Sequence, residues 1–217
     1  MHDHTNTIAQ PLLDGSLNDY LATLASSAPA PGGGSVAALA AAQGAALLGM
    51  VLNLTLGRPR FAAREEEGRA IFAEAERLRA ECAALIDRDA AVLGALIASY
   101  KLPKGTPEER AARTATLAAR TREATEVPLA VARAAAALLP LCRQLLPLGN
   151  PTAVSDIGVA ATCAVVGFRA AELNVLINLG QLPDEAFVAA ARATLGELGQ
   201  GLEDEAAAIL AAVRERL

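Results

Sequence analysis

Histidine is nearly missing from this 217-residue sequence, because its two copies, His2 and His4, lie within the first four residues. Tryptophan is absent, and aromatic residues make up 3% of the chain. A Ser-His-Asp triad, a Cys-His dyad and a histidine-containing zinc site all need histidine in the folded part. Acid–base chemistry therefore falls to Asp, Glu, Lys or Tyr side chains or to water, and we expect no metal site.

Cysteine is also scarce. The three copies, Cys82, Cys142 and Cys163, are far apart, and each lies in an apolar helical pattern. An odd number of such residues is typical of reduced core cysteines rather than of a disulfide framework. The N-terminus shows no basic segment leading into an apolar run, so no signal peptide is visible. Both observations predict a cytoplasmic protein.

Composition argues against two classes of partner, nucleic acids and membranes. The net charge is −5, whereas a nucleic-acid surface needs a basic face with stacking aromatics. Residues 36–56 are long enough to cross a bilayer, but this stretch contains Gln43, Asn53, Thr55 and two glycines. We therefore expect neither a nucleic-acid partner nor a membrane span.

The abundant residues favour an all-α fold. Hydrophobic residues make up 53% of the chain and are mainly Ala, Leu and Val, which suit closely packed helices. We predict a disordered leader over residues 1–13 and one domain over residues 14–217, a bundle of about six long helices. Capping and proline signals place their starts near Ser16, Val36, Pro59, Thr106, Ser155 and Pro183. The fourth helix should reach about Leu146, with a kink at Pro128 and a kink or an end at Pro140.

A glycine-rich turn precedes the second helix. Gly32, Gly33 and Gly34 permit positive φ and leave backbone N–H groups uncovered, and Ser35 offers an N-cap hydroxyl. A helix N-terminus of this kind favours an anion or a carbonyl oxygen. A flexible link followed by a core helix explains the same residues, and the spacing alone does not decide between the two.

The third helix carries an aspartate on its apolar stripe. Asp89 lies four residues after Leu85 and four before Leu93, whereas Asp87 is about 200° away and should face water. An aspartate on an apolar seam must be paired, hydrogen-bonded or protonated. Asp89 is therefore either an interhelical hydrogen-bond partner or a functional carboxylate.

The only two lysines, Lys101 and Lys104, follow that helix. They either complement its C-terminal dipole or bind an anion.

The fifth helix has polar residues at both ends. Asp156 and Asn174 are eighteen residues apart on one face, with Asn178 nearby and small residues between. The two ends are about 27 Å apart, so one subunit cannot bring them into a single small site. They serve different sites or meet different neighbours, unless Asp156 merely favours the helix N-terminus.

Ordered motifs over most of the chain resemble the cyclodeaminase/cyclohydrolase family. That family includes the cyclodeaminase half of formiminotransferase-cyclodeaminase and stand-alone methenyltetrahydrofolate cyclohydrolases. The matching segments read PAPGGGS at 29–35, MVLNLT at 50–55, LIDRDA at 85–90, LPK at 102–104, EVPL at 126–129, VSDIGVA at 154–160 and NVLINL at 174–179. The resemblance implies a helical homodimer or larger homo-oligomer that acts on a tetrahydrofolate derivative without metal or another cofactor.

The resemblance also implies roles for particular residues. Asp89, Asp156 and Lys104 correspond to catalytic positions. We assign Asp156 to cation stabilisation and proton acceptance, and Asp89 to proton transfer or to positioning Lys104. The predicted substrate-binding residues are Gly32, Gly33, Gly34, Ser35, Asn53, Arg58, Arg60, Ser155, Asn174 and Asn178. Arg58 and Arg60 are included as partners for the carboxylates of the folate tail.

The expected reaction is hydrolysis of 5,10-methenyltetrahydrofolate to 10-formyltetrahydrofolate, because this chain has no formiminotransferase half. The alternatives are a formimidoyltetrahydrofolate cyclodeaminase and a non-catalytic helical folate-binding or oligomerisation module. The apolar second helix and the small-residue groove of the fifth helix offer more packing surface than one bundle should bury. We therefore expect a homo-oligomer with its active site near a subunit contact.

Overall fold

The computed structural model describes residues 11–217, and within that range all regular structure is helical. This confirms the predicted all-α class. The α-helices are α1 (Leu17–Leu24), α2 (Gly33–Asn53), α3 (Glu65–Ser99), α4 (Pro107–Leu145), α5 (Val154–Leu179), α6 (Glu185–Gly199) and α7 (Leu202–Arg214).

Two helices begin where the sequence predicts a capping box. The Ser16 hydroxyl accepts a hydrogen bond from the Asp19 N–H at 3.1 Å, and the Thr106 hydroxyl accepts one from the Glu109 N–H at 3.2 Å. In both motifs the acidic side chain also accepts from the backbone of the capping residue. Helix α4 continues through Pro128 and Pro140, so the second proline does not end it.

Two helix boundaries differ from the prediction. Pro59 opens a short 3-10 helix, Pro59–Arg64, and α3 begins only at Glu65. The predicted last helix is two helices, because Gly201 adopts a left-handed conformation with φ of 70° between α6 and α7. The predicted glycine interruption is thus located at the turn of Gln200 and Gly201.

The predicted leader lies mostly outside the described residues. From Pro11 onward the chain is described, and Leu12–Asp14 forms a 3-10 helix. The Leu12 N–H donates a hydrogen bond to Asp87 Oδ1 at 2.6 Å. Asp87 is consequently half-buried, and the expectation that it faces water is wrong because the chain N-terminal to α1 packs over it.

Helix α2 is central, as its all-round apolar sequence predicts, and it runs antiparallel to α5. It packs against α3, α4 and α5 and contains thirteen buried residues. A Cβ on Gly44 would lie 3.1 Å from the Ala160 carbonyl oxygen, and one on Gly167 would lie 3.2 Å from the Ala37 carbonyl oxygen. The small-residue groove of α5 is therefore filled by α2 of the same chain, so that groove gives no support to oligomerisation.

Three segments, Gly33–Asn53, Pro107–Leu145 and Pro151–Leu179, are long and apolar enough to cross a bilayer by length and composition alone. The bundle buries 67% of the apolar stretch that qualifies the second segment, but only 39% of the corresponding stretch in the third. The third segment contains α5, so much of the apolar surface of α5 faces outward. Its large exposed members are Val159, Val166, Leu173 and Ile177, which we call the α5 stripe.

Candidate active site

The predicted aspartate of the third helix meets the predicted glycine segment. Asp89 on α3 is 9% exposed, and its carboxylate lies against the first turn of α2. The Ser35 hydroxyl donates to Asp89 Oδ2 at 3.0 Å and also contacts the Ile86 carbonyl oxygen at 3.2 Å. The anion that the α2 N-terminus favours is thus supplied by this chain itself.

The glycines allow this approach by lacking side chains. A Cβ on Gly34 would overlap the Asp89 carboxylate, whereas one on Gly32 would meet nothing within 4 Å. None of the three glycines has positive φ, so the conformational reason given for them is wrong. The second reason, that a glycine leaves the backbone open to an approaching group, holds for Gly34 and Asp89. The N-cap residue is Gly32 rather than Ser35, which lies within the helix and turns its hydroxyl toward α3.

Burial is the dominant influence on Asp89. Loss of water raises the pKa of its carboxyl group above the ordinary value, and hydrogen bonds from the Ser35 side chain and backbone partly oppose this rise. No lysine or arginine contributes to this pKa. A raised pKa makes the Asp89 carboxylate a stronger base, which suits it to accept a proton.

Tyr20 is a further polar group at this site. Its side chain is 5% exposed, and within the described residues its buried hydroxyl has no hydrogen-bond partner. Burial raises the pKa of Tyr20, and the negative charge of Asp89 raises it further, which places the two groups within electrostatic reach. A buried, unpaired hydroxyl near a carboxylate is available to a ligand as a donor.

Asn174 is the third polar side chain at the first turn of α2. Its amide lies against Gly33, where an added Cβ would come within 3.3 Å of Nδ2, and that Nδ2 donates to the Ala170 carbonyl oxygen at 2.8 Å. Asn178, one turn later, donates to the Ala124 carbonyl oxygen at 2.9 Å and so ties α5 to α4. Both amides are half-buried.

The remaining predicted residues lie at the other end of α2. Asn53 is its last residue, and Arg58 and Arg60 follow it, all exposed. The 21 residues of α2 separate this end from Asp89 by about 30 Å. Exposed Ser155 and half-buried Asp156 also lie at this end, in the first turn of α5.

A cavity of about 310 Å³ opens beside Arg60. Its lining includes Thr55, Phe61 and Arg64, and the Arg60 guanidinium stacks on the Phe61 ring at 4.5 Å. About 30 Å of helix α2 separates this cavity from Asp89. Within one chain, therefore, Asp89 and Asp156 belong to separate polar clusters.

Lys104 is not brought to Asp89 either. It is exposed in the loop between α3 and α4, beyond about 15 Å of helix that separates Asp89 from Ser99. The only hydrogen bond described for it is made by its carbonyl oxygen, which accepts from Arg110 Nη1 at 3.3 Å. The idea that Asp89 positions Lys104 has no support within the described chain.

The thiols do not enter this chemistry. Cys82 and Cys142 are buried, and burial raises the pKa of each thiol to about 12, so neither is a thiolate nucleophile near neutral pH. Within residues 11–217, His, Cys, Asp and Glu side chains form no group of three or more that could hold a metal ion.

Sequence reasoning identified Asp89, Asn174 and the glycines but missed Tyr20. Tyr20 lies on the eight-residue helix α1, where Leu17, Tyr20, Leu21 and Leu24 recur at helical spacing and form an apolar face. That face was the available signal, and the chain has only two tyrosines. The assembled site offers a proton-exchanging carboxyl, a buried hydroxyl and a side-chain amide around the first turn of α2.

Known proteins share sequence similarity with this chain over most of its length. The sequence profile of the family described as formiminotransferase-cyclodeaminase matches residues 16–197. A methenyltetrahydrofolate cyclohydrolase from Methylorubrum extorquens is 40% identical over 89% of this chain and 91% of its own length. The formimidoyltransferase-cyclodeaminase of Rattus norvegicus is 38% identical over 95% of this chain, which spans only 38% of that enzyme.

A solved structure has the same fold. The formiminotetrahydrofolate cyclodeaminase from Thermotoga maritima superposes with a TM-score of 0.79, at 27% identity, over 95% of this chain and 97% of the other. The profile match covers far more than half of the sequence, and the relatives align across nearly all of it. The chain therefore belongs to the formiminotransferase-cyclodeaminase family.

Proposed function

We propose that this protein is a methenyltetrahydrofolate cyclohydrolase. The observation that carries the proposal is the buried Asp89 carboxyl at the α2 N-terminus, in a chain 40% identical to a cyclohydrolase over most of both lengths. The substrate is a cation whose positive charge is shared by N5, N10 and the carbon between them. A carboxylate in a site of low polarity attracts such a cation and accepts a proton beside it.

The reaction needs two proton transfers that one carboxyl group can perform. Proton acceptance, assigned to Asp156 from the sequence, passes to Asp89 here because Asp156 of the same chain lies in the other polar cluster. Water adds to the methenyl carbon while the Asp89 carboxylate takes one of its protons. The bond from carbon to N5 then breaks, Asp89 returns that proton to N5, and the remaining hydroxyl proton leaves to solvent as the formyl group forms. The raised pKa assists because it makes the Asp89 carboxylate a stronger base toward the proton of the attacking water.

The same site suits cyclodeamination, which is the second candidate. In that reaction N10 attacks a formimino carbon, the carbon–nitrogen bond breaks, and the nitrogen leaves as ammonia after protonation. The Thermotoga maritima protein favours this candidate, since it is called a cyclodeaminase although this chain covers 97% of it. The span of sequence that this chain shares with its relatives therefore does not distinguish the two activities.

One pair of assays decides between these reactions. Purified protein should accelerate the loss of near-ultraviolet absorbance of 5,10-methenyltetrahydrofolate above the uncatalysed rate. Ammonia release from 5-formiminotetrahydrofolate, without that acceleration, would identify the cyclodeaminase instead. Neither activity, with folate binding retained, would identify a non-catalytic folate-binding module.

The proposal includes a homodimer or larger homo-oligomer in the cytoplasm. The α5 stripe supports oligomerisation, because its four large apolar side chains are 49% to 68% exposed on one helix. Three free cysteines, two of them buried, support the reducing compartment. Lys104, Arg58 and Arg60 are exposed, and they remain proposed contacts of the substrate and its tail only within an oligomer, because none of them lies near Asp89 of the same chain.

We expect Tyr20→Phe to lower kcat about tenfold with little change in stability. The hydroxyl has no partner to lose within the described chain, so its removal costs the folded protein little. In the proposed reaction this hydroxyl donates a hydrogen bond to the substrate or to the attacking water, which the phenylalanine cannot do. Steady-state kinetics and thermal unfolding, measured on the same preparations, test both parts.

The matched control is Tyr100→Phe, since Tyr100 is exposed at the end of α3 and away from Asp89. That variant should keep the wild-type kcat. Equal kcat in Tyr20→Phe and wild type would remove Tyr20 from the reaction and leave it a core residue.

A further inference from the structure

We propose that two copies of this chain pair their α5 helices antiparallel about a two-fold axis near Val166, so that Asp156 of the partner subunit completes the site at Asp89 and Asn174. The inference rests on the proposed function, because catalytic activity is its main readout. It goes further by naming the interface, its orientation and the residue that the partner contributes.

The α5 stripe has the spacing of a helix-pairing seam. Val159, Val166 and Leu173 recur every seven residues, and Ile177 follows after four. At 100° per residue, these four and the intervening exposed Thr162 lie within about 40° of one line along the helix. The nearest charge, Arg169, is already paired with Glu172 at 2.9 Å and Glu203 at 2.8 Å. The stripe is thus a continuous apolar face without an unpaired charge.

The stripe is complementary to itself when reversed. A two-fold axis at Val166 places that valine against its own copy and places Val159 opposite Leu173 of the partner subunit. Ser155 then faces Ile177 of the partner subunit, so no charge is buried along the seam. The antiparallel arrangement also sets the positive N-terminal end of each α5 beside the negative C-terminal end of the other. These features fit a second copy of this chain better than an unrelated partner.

The same antiparallel pairing of α5 helices brings the two polar clusters, which are far apart within one chain, close together across the subunit contact. Asp156 and Asn174 both lie about 80° from the centre of the stripe, on the side where α2 packs. A two-fold axis perpendicular to the helices keeps both on that side and brings Asp156 of the partner subunit level with residue 176 of this chain. Across a helix spacing of 8–10 Å it lies beside Asn174 and the α2 N-terminus. Two carboxylates with different environments then face one site.

Subunit complementation tests this arrangement. Asp89→Asn and Asp156→Asn are produced as separate homodimers, each expected to retain about 1% of wild-type turnover. The two variants are then co-expressed with different affinity tags, and the doubly tagged hybrid is isolated. In the hybrid one site carries both substitutions and the other carries none, so we expect about half of the wild-type activity.

The reciprocal hybrid is the matched control. One subunit is wild type and the other carries both Asp89→Asn and Asp156→Asn, which puts one substitution in each shared site. We expect about 1% of wild-type activity, whereas sites formed within single chains would retain about half. An active wild type with no recovery in the first hybrid would overturn the inference and leave the proposed function standing. An inactive wild type would instead refute the proposed function.

Cysteine crosslinking tests the orientation without using activity. In a Cys163→Ala background, Val166→Cys should form a disulfide-linked dimer on oxidation, because the axis brings the two copies together. Leu173→Cys alone should not crosslink, but it should do so when mixed with Val159→Cys. Efficient self-crosslinking of Leu173→Cys would indicate a parallel pair and overturn the inference. So would a wild-type monomer at micromolar concentration in sedimentation, and binding of that monomer to phosphatidylcholine vesicles would assign the stripe to a lipid surface.

Discussion

Replacing Asp89 by Asn is expected to lower turnover about a hundredfold or more while the protein keeps its fold. The asparagine has the size of the aspartate, and its amide oxygen can still accept from the Ser35 hydroxyl, which donates to Asp89 Oδ2 at 3.0 Å. It cannot take a proton from water or return one to the leaving nitrogen. Steady-state kinetics with the methenyl substrate measure the loss, and circular dichroism checks the fold.

The pH dependence of stability should distinguish this variant from the wild type. Because burial raises the pKa of Asp89, the folded protein favours its protonated form. That contribution to stability is complete below the ordinary pKa of an aspartate and is lost as the pH rises through the raised value. The amide in Asp89→Asn does not titrate, so we expect the variant to gain unfolding free energy relative to wild type as the pH rises across this interval.

Asp87→Asn is the matched control, since Asp87 lies two residues away on the same helix and binds the Leu12 N–H rather than the site. We expect wild-type turnover from it. If Asp89→Asn unfolded the protein while Asp156→Asn lost only activity, Asp89 would have to be reclassified as structural. Equal turnover in Asp89→Asn and wild type would rule out the proposed chemistry.

Local signals predicted the fold well because most of its determinants lie within a few residues of one another. The capping boxes at Ser16 and Thr106 depend on residues three positions apart, and both are observed. The apolar stripe of α3 likewise placed Asp89 correctly in the interior. Boundaries shifted where a local alternative competed, as at Pro59, which begins a 3-10 helix instead of α3.

Contacts between distant parts of the chain were the part that the sequence could not supply. The sequence left open whether the α2 N-terminus binds an anion or only links to a core helix, because Ser35 and Asp89 are 54 residues apart and no local pattern links them. The same holds for Leu12 and Asp87, which are 75 residues apart. The α5 groove was recognised as a packing surface, yet helical periodicity does not say whether α2 or a second copy fills it.

The second large effect is expected from Gly34→Ala. A methyl group here would occupy the position of the Asp89 carboxylate, so either that side chain or the first turn of α2 must move. Overpacking of this kind costs about 1–3 kcal/mol of unfolding free energy. Displacing a catalytic group by about 1 Å costs on the order of a hundredfold in rate. We therefore expect lower stability together with a turnover close to that of Asp89→Asn.

The neighbouring glycines provide a graded control. Gly32→Ala meets nothing within 4 Å in this chain and should keep wild-type stability, whereas Gly33→Ala would come within 3.3 Å of the Asn174 amide and should have an intermediate effect on stability. Unfolding and kinetics of the three variants, measured side by side, test this order. Equal losses at Gly32 and Gly34 would show that backbone flexibility, rather than access for Asp89, explains the three glycines.

A double-mutant cycle separates the steric clash from a general effect on the helix. In an Asp89→Ala background the carboxylate is gone, so Gly34→Ala has room for its methyl group and should cost much less stability than in wild type. Turnover should stay low in that double variant, because the proton-exchanging group is missing. If Gly34→Ala destabilised both backgrounds equally, the two effects would be additive, and the contact between Gly34 and Asp89 would not be the reason that this position is a glycine.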